Sequence, residues 1–566
     1  MRGEIAVESN LLELVCISSL EKVFPDENTK LRAYQSGSSL QGEVFSFQVA
    51  YRADRLVKRL KLELDLGGLP LKPDIYRVGL VPSELPAYGD EDDFILRSTP
   101  GIYPDPLYPL GENEELVAYP GQWRTIWIRI PVQKDTPEGK YAIQIRIQGK
   151  DDSTFGGNRN WYGQQMFTLS ILPAVLPKQE LIHTEWFAAD CISTWYQLTA
   201  FSDEWWEMVN RYMQNYAKHG MNMILTPVFT PPIETKINTE RPTIQLVGIS
   251  TQDGTYTFDF GKLGRWMDMA LACGITYFEM PHLFTQWGAY DTPKIMIWEN
   301  GVEEAKFGWH VSAEDTEYLN FLGQLLPALV KYMTQKVKPV QVYFHISDEP
   351  GTDALNRYER LSAFVKKRIG SCNLMDALSE YEIFERSALT IPVVATDMVK
   401  KFMEQDVKQM WVYYACLQYR NSLSNRHFSM PSNRNRILGI QLYKSQIRGF
   451  LHWGYNHWYS GLSVKKINPF QITDADACFP SGDAFLVYPG EEGPINSIRL
   501  EVLLEGVQDY RALMHLESLI GREETIRFLE RGIQPITFVQ YPHDSAWLLD
   551  VRERVNQMIA RVSKTR

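Results

Sequence analysis

Up to about Pro177 the chain alternates apolar and polar residues in short runs. EVFSFQVAYRA from Glu43, LKLELDL from Leu60, TIWIRIPV from Thr125, YAIQIRIQG from Tyr141 and QQMFTLSIL from Gln164 show this most clearly. Apolar side chains at every second position are the pattern of a strand with one buried face. Gly, Pro, Asn and Asp clusters separate the runs, and residues 134–139 form a turn between two of them. Repeated alternation without helices predicts a β-sandwich. The following LPAVLP, residues 172–177, carries two prolines and predicts a linker.

Beyond the linker the pattern changes. Short apolar runs at 181–186, 221–225, 275–280, 341–346, 373–377, 391–395, 410–414 and 449–453 read as strands. Helical spacing falls between them at 203–219, 262–272, 316–332, 355–367 and 433–447. Strands alternating with helices predict a parallel sheet, and eight of them predict a (β/α)8 TIM barrel. Nearly every strand ends in polar or aromatic residues, among them His183-Thr184-Glu185-Trp186, Glu279-Met280-Pro281-His282 and His452-Trp453-Gly454-Tyr455-Asn456. In such a barrel these ends converge on one mouth, where active sites lie. From Ser497 an apolar stripe (Ile498, Leu500, Val502, Leu503, Val507, Tyr510) predicts the last barrel helix, followed by a small helical cap. The expected organisation is a sandwich over 1–177, a catalytic barrel over 178–515 and a helical extension over 516–566.

Composition narrows the partners. Hydrophobic residues make up 44% of the 566 residues, enough for a large core. A net charge of -11 without a basic stripe argues against nucleic acid and anionic membranes. The 15 Trp and 29 Tyr tilt the reading toward carbohydrate, although aromatics also fill cores. Six scattered cysteines without a CxxC pair read as free thiols in a reducing compartment. The N-terminus, MRGEIAVESNLLELVC, has acidic residues within its apolar stretch and is a poor signal peptide, so the expectation is cytoplasmic; a trimmed secreted form would look the same.

The strongest chemical signal is Val342-Tyr343-Phe344-His345-Ile346-Ser347-Asp348-Glu349-Pro350. Pro350 cannot continue a ladder, so the strand ends before it and the backbone can bring both carboxyls to the mouth. Two crowded carboxyls cannot both ionise freely, and the one that keeps its proton can serve a glycosidic leaving oxygen. The competing reading is a cap on the following helix.

The motifs as a set resemble glycoside hydrolase family 123. The resemblance rests on HISDEP (345–350), HGMNMILTPVFTPP (219–232), GFLHWGYNHW (449–458), NPF (468–470), GDAFLVYPG (482–490) and IRLEVLLEGVQDY (498–510). It implies an exo-acting β-N-acetylgalactosaminidase using substrate-assisted, retaining catalysis. By that resemblance Glu349 is general acid/base, and Asp348 orients the substrate's 2-acetamido group and stabilises the charge on its nitrogen. The acetamido oxygen then attacks the anomeric carbon, so no enzyme nucleophile, metal or cofactor is implied.

Around the mouth, Trp453 and Trp458 offer either sugar stacking or rim packing. Asn456 offers a hydroxyl donor or a turn, and Asn222 a substrate contact or helix-to-strand chemistry. His282 and His345 can bond hydroxyls, support the carboxylates or satisfy themselves structurally, and they lack paired metal-ligand spacing. Tyr414 is a candidate for the acetamido carbonyl or for the core, and Trp186 and Asp376 are further strand-end candidates. The expected partner is the non-reducing end of a glycan. The alternatives are a glycosidase for sugars lacking the acetamido group and a non-catalytic carbohydrate-binding protein.

Overall fold

The computed structural model describes residues 10–27, 30–151 and 159–565. All five alternating runs named above lie in strands of two N-terminal sheets. A six-stranded sheet centres on Gly139–Asp151 and Arg159–Val175, and a seven-stranded sheet on Val44–Arg52 and Arg124–Pro131. Between them Phe47, Val49, Ile126, Ile128, Ile143, Ile145, Phe167 and Leu169 form a sealed core. The period-two pattern therefore does what it predicts for the inner faces. The seven-stranded sheet is buried on its other face too, where Trp127, Val81 and Leu107 join the core of the barrel. The hairpin Val487–Gly490 and Gly493–Ser497 extends this sheet by pairing with Gly101–Pro109.

The expected linker is partly strand. Arg159–Val175 continues through Pro173, with a register shift between Leu172 and Val175 against Ser36–Gln41. A bulge lets proline sit in a ladder it would otherwise break.

Eight parallel strands make the barrel: β1 Ile182–Glu185, β2 Met223–Leu225, β3 Tyr277–His282, β4 Val342–His345, β5 Asn373–Leu378, β6 Ile391–Ala395, β7 Trp411–Tyr413 and β8 Gly449–His452. Each falls on an expected run, and they pair in sequence order from β2 round to β8 and on to β1. The seam between β1 and β2 is narrow: Asn222 N–H donates to His183 O at 3.1 Å, and His183 N–H to Asn222 Oδ1 at 2.9 Å. Residues at every second position fill the interior, including Met223, Leu225, Tyr343, Met375, Ala377, Val393, Ala395, Trp411, Tyr413 and Leu451. Helix α1 (Leu355–Ile369) follows β4.

Two hairpins that hydrophobic spacing did not foretell, Gly248–Gln252 with Thr255–Asp259 and Ile295–Glu299 with Val302–Phe307, join as a four-stranded sheet in the loops after β2 and β3. The expected stripe helix is α2 (Ile498–Ile520), but its polar side is buried as well. Glu501 meets Arg129 at 3.2 Å, while Glu505 and Asp509 each meet Arg436 at 2.8 Å, so its acids tie the barrel to the N-terminal sheet. Helix α3 (Ser545–Thr565) adds Arg552, which bonds Asp509 at 2.8 Å. All six cysteines are free thiols. No helix among the described residues is long and apolar enough to cross a membrane.

Candidate active site

The turn after β4 is held on both sides by its neighbours. Asp376, at the end of β5, accepts the backbone N–H groups of Ile346 and Ser347 at 3.1 Å. Ser347 Oγ donates to Thr285 O at 2.7 Å, the Trp287 N–H donates to Asp348 O at 2.8 Å, and the Glu349 N–H to Ala377 O at 3.2 Å. Glu349 sits at φ 41°, a left-handed conformation that costs a non-glycine residue energy and persists here because both flanks are tied down. Neither acid caps α1: the N-cap residue is Ala354, with no side-chain cap bond. Asp348 is half-buried at the mouth, and Glu349 leans its carboxylate on the hydroxyl of Tyr413, which donates to it from the end of β7 in a part-buried bond.

Burial, the neighbouring Glu349 and Asp376 push the Asp348 carboxyl well above its usual range, against the pull of His345. Burial also raises the Glu349 carboxyl, while Tyr413 pulls it back and Asp397 adds to the rise. The pair thus resists losing both protons together.

Beneath it runs a buried chain. His345 Nε2–H donates to Glu279 Oε1 at 2.7 Å and Nδ1–H to Asp376 Oδ1 at 2.9 Å. Burial opposes the charge on this ring, but the two carboxylates override it and bring the imidazole up to about 9. Glu279 also accepts from Trp186 Nε1 at 2.7 Å and Thr184 Oγ1 at 2.6 Å, and Asp376 accepts from the Tyr358 hydroxyl. His282 stacks on His345 with ring centroids 4.3 Å apart. Burial and the charge on His345 keep His282 neutral. His282, His345 and Asp376 bring candidate ligand atoms within 4.8 Å of one another. Stacked rings direct their in-plane lone pairs side by side rather than at one point, and both His345 nitrogens are engaged. The arrangement suits proton relay and support better than metal ligation.

Trp186 and Trp453 wall a cavity at the mouth, together with Asp190, Glu234, Arg241 and His457. Trp453 Nε1 donates to Asp483 Oδ2 at 2.8 Å, which fixes the indole. Asp483 in turn faces His452 at 3.5 Å and His427 at 3.7 Å. Arg426 bridges His452 to Glu185, bonding the carboxylate at 2.8 and 2.9 Å.

The sequence candidates therefore sort by position. Asp348 and Glu349 meet at the rim, Trp186 and Trp453 line the cavity, and His282, His345 and Asp376 lie behind. Four go elsewhere. Asn222 spends its amide on Leu181 O and the His183 N–H at the barrel seam. Asn456 does the same with both backbone groups of Ala188. Trp458 is 2% exposed and donates to Val487 O. Tyr414 points out of the barrel against Phe450 and His452. Its neighbour Tyr413 faces inward and reaches Glu349; alternation along β7, counted from inward Trp411, could have found it. Glu279 was equally legible as an inward strand end. Glu234 and His457 were not, because loops place them.

Carboxylates and tryptophans gathered at the C-terminal mouth of a (β/α)8 barrel define a glycoside hydrolase architecture. Residues 186–516 match the family described as Glycoside hydrolase 123, catalytic domain. The chain belongs to glycoside hydrolase family 123. The structure of a family 123 glycoside hydrolase from Clostridium perfringens, solved to detail glycolipid glycan hydrolysis, overlays with a TM-score of 0.72 at 15% identity, covering 98% of this chain and 100% of that one. A family 5 mannosidase from Rhizomucor miehei gives a TM-score of 0.33 at 14% identity, covering 59% and 92%. Among curated proteins none matches the chain.

Proposed function

We propose that the protein is an exo-acting β-N-acetylgalactosaminidase working by substrate-assisted retaining catalysis. The observation that carries this reading is the consecutive pair Asp348-Glu349 at the rim, both carboxyls raised, with no third carboxylate needed as nucleophile. Adjacent acids can address the C1 and C2 substituents of one sugar. The aromatic cavity supports exo action, since the indoles of Trp186 and Trp453 offer flat faces to a sugar ring held inward of the acids.

In the free enzyme the pair retains a proton. An acetamido N–H donated to Asp348 favours its ionised form and leaves the proton on Glu349, from which it passes to the glycosidic oxygen as that bond breaks. The acetamido oxygen closes on the anomeric carbon to give an oxazolinium ion, whose N–H charge Asp348 balances. Glu349, now ionised and steadied by Tyr413, takes a proton from the water that opens the ring. His345, braced by Glu279, holds Asp376, and through it the backbone of the turn, in place. On this reading residues 1–177 are a sandwich scaffold, 178–515 the catalytic barrel and 516–566 a helical extension.

The test is hydrolysis of 4-nitrophenyl β-GalNAc, with glycolipid glycans of the kind named for the Clostridium perfringens relative as natural substrates to try. Glu349→Gln is expected to lose about 10²- to 10⁴-fold in turnover, and an oxazoline-mimicking thiazoline to inhibit. Cleavage of β-glycosides lacking the acetamido group, without thiazoline inhibition, would replace this reading. An inert protein that still binds GalNAc would make it a carbohydrate-binding module.

A further inference from the structure

The reaction above uses one edge of the sugar, C1 and C2, and the cavity has a polar wall left over. Glu234, in the loop after β2, lines it at φ 47°. Its conformation is imposed from three sides. Ser463 Oγ donates to Glu234 O at 2.5 Å, the Leu462 N–H donates to Oε1 at 2.5 Å, and Arg241 Nη1 donates to Ile233 O at 3.1 Å. Arg241 is itself locked by Asp190 at 2.8 and 2.7 Å, a pair buried on both sides. Such anchoring at a costly φ aims the carboxylate, and among the described residues its Oε2 has no hydrogen-bond partner. His457 lines the same cavity at 3% exposure, and its Nε2 has no partner among the described residues. A buried imidazole nitrogen without a partner costs stability unless something else satisfies it.

Position says which part of a sugar these groups meet. Glu234 and His457 line the cavity that lies inward of the rim where Asp348 and Glu349 meet. With Glu349 at the anomeric oxygen and Asp348 at the 2-acetamido group, a ring that presents its C1–C2 edge to the rim turns C3 and C4 into this cavity, toward Glu234 and His457. The walls between are the two indoles. We infer that Glu234 and His457 clamp the 3- and 4-hydroxyls of the bound pyranose and so set which hexosamine the site accepts. A carboxylate only accepts, so it takes hydroxyl donors in pairs, and a neutral imidazole nitrogen completes the set. Sites built this way reject analogues lacking the hydroxyl, because buried polar groups are then left unpaired. This inference rests on the hexosaminidase reading above.

The experiment compares 4-nitrophenyl β-GalNAc with its 3-deoxy and 4-deoxy analogues on wild type, Glu234→Gln and His457→Gln. Binding of the methyl glycosides is measured by calorimetry alongside, and thermal melts confirm folding. Each deoxy change and each variant alone is expected to cut kcat/KM by about 10- to 100-fold. At least one deoxy analogue should lose nothing more on Glu234→Gln, because the partner is already gone. A merely structural Glu234 gives losses that multiply, and that result overturns the clamp even where GalNAc glycosides are bound and cleaved. If wild type neither binds nor cleaves them, the hexosaminidase reading falls and the clamp with it. If Glu234→Gln fails to fold, the same cycle on His457→Gln decides.

Discussion

The charge on His345 gives stability a pH dependence that depends on Asp376. An imidazole raised from 6.5 to about 9 keeps its proton in the folded chain after the unfolded chain has released it. Its contribution is therefore complete below about pH 6.5 and is lost as pH rises toward 9, amounting to about 3 kcal/mol across that window. Asp376 is one of two carboxylates holding the charge, so Asp376→Asn removes roughly half, about 1–2 kcal/mol. The same substitution opposes an amide to the N–H groups of Ile346 and Ser347 and breaks a buried ion pair, a change that costs about 3–5 kcal/mol while the histidine is charged. Urea unfolding at pH 6 and pH 9 should show Asp376→Asn less stable than wild type at both, with the gap about 1–2 kcal/mol smaller at pH 9. Other buried groups titrate in this window, including Glu505 at about 7 and Lys22 at about 7, but they belong to both proteins and cancel in the difference. Equal gaps at the two pH values would refute the charged His345.

Three further outcomes follow from the same geometry. Tyr413→Phe takes a donor from the Glu349 carboxylate and should move the corresponding limb of the kcat/KM profile to higher pH by about half a unit to one unit; Tyr414→Phe, which faces away, should leave it in place. Asp348→Asn should cut turnover of 2-acetamido substrates by about 10²- to 10³-fold. It should also raise the melting temperature at pH 7 and not at pH 3, because a carboxyl raised on folding opposes the folded state only once pH exceeds its ordinary range. Trp453→Phe removes the bond to Asp483 and frees the ring, so KM should rise by about 5- to 30-fold in steady-state assays with little change in melting temperature.

The barrel was legible because its code is local: a buried strand needs apolar residues at a fixed period, and every one of the eight strands carried them. Asp348 and Glu349 were legible too, since Pro350 stops the strand at the mouth. What local pattern cannot specify is which polar strand end faces the cup and which faces its support. His345 read equally as a substrate ligand or a support and Asp376 as a strand-end candidate, and in the fold the two bond each other and hold the turn that carries Asp348 and Glu349. Asn456 and Trp458 shared a motif with Trp453, yet of these three only Trp453 lines the cavity, because the loop after β8 turns His457 toward it and uses Asn456 and Trp458 as staples. Tyr414 stood one residue from the tyrosine that reaches Glu349, on the opposite face of β7.

The sequence by itself thus determined the order of elements, the barrel and the pair of acids at its rim, all of which depend on neighbours along the chain. Only the tertiary structure decided the protonation of His345, the pocket walls of Glu234 and His457, and the polar burial of α2. Those depend on groups far apart in sequence meeting in space, where the removal of water makes each charge answer to its new neighbours.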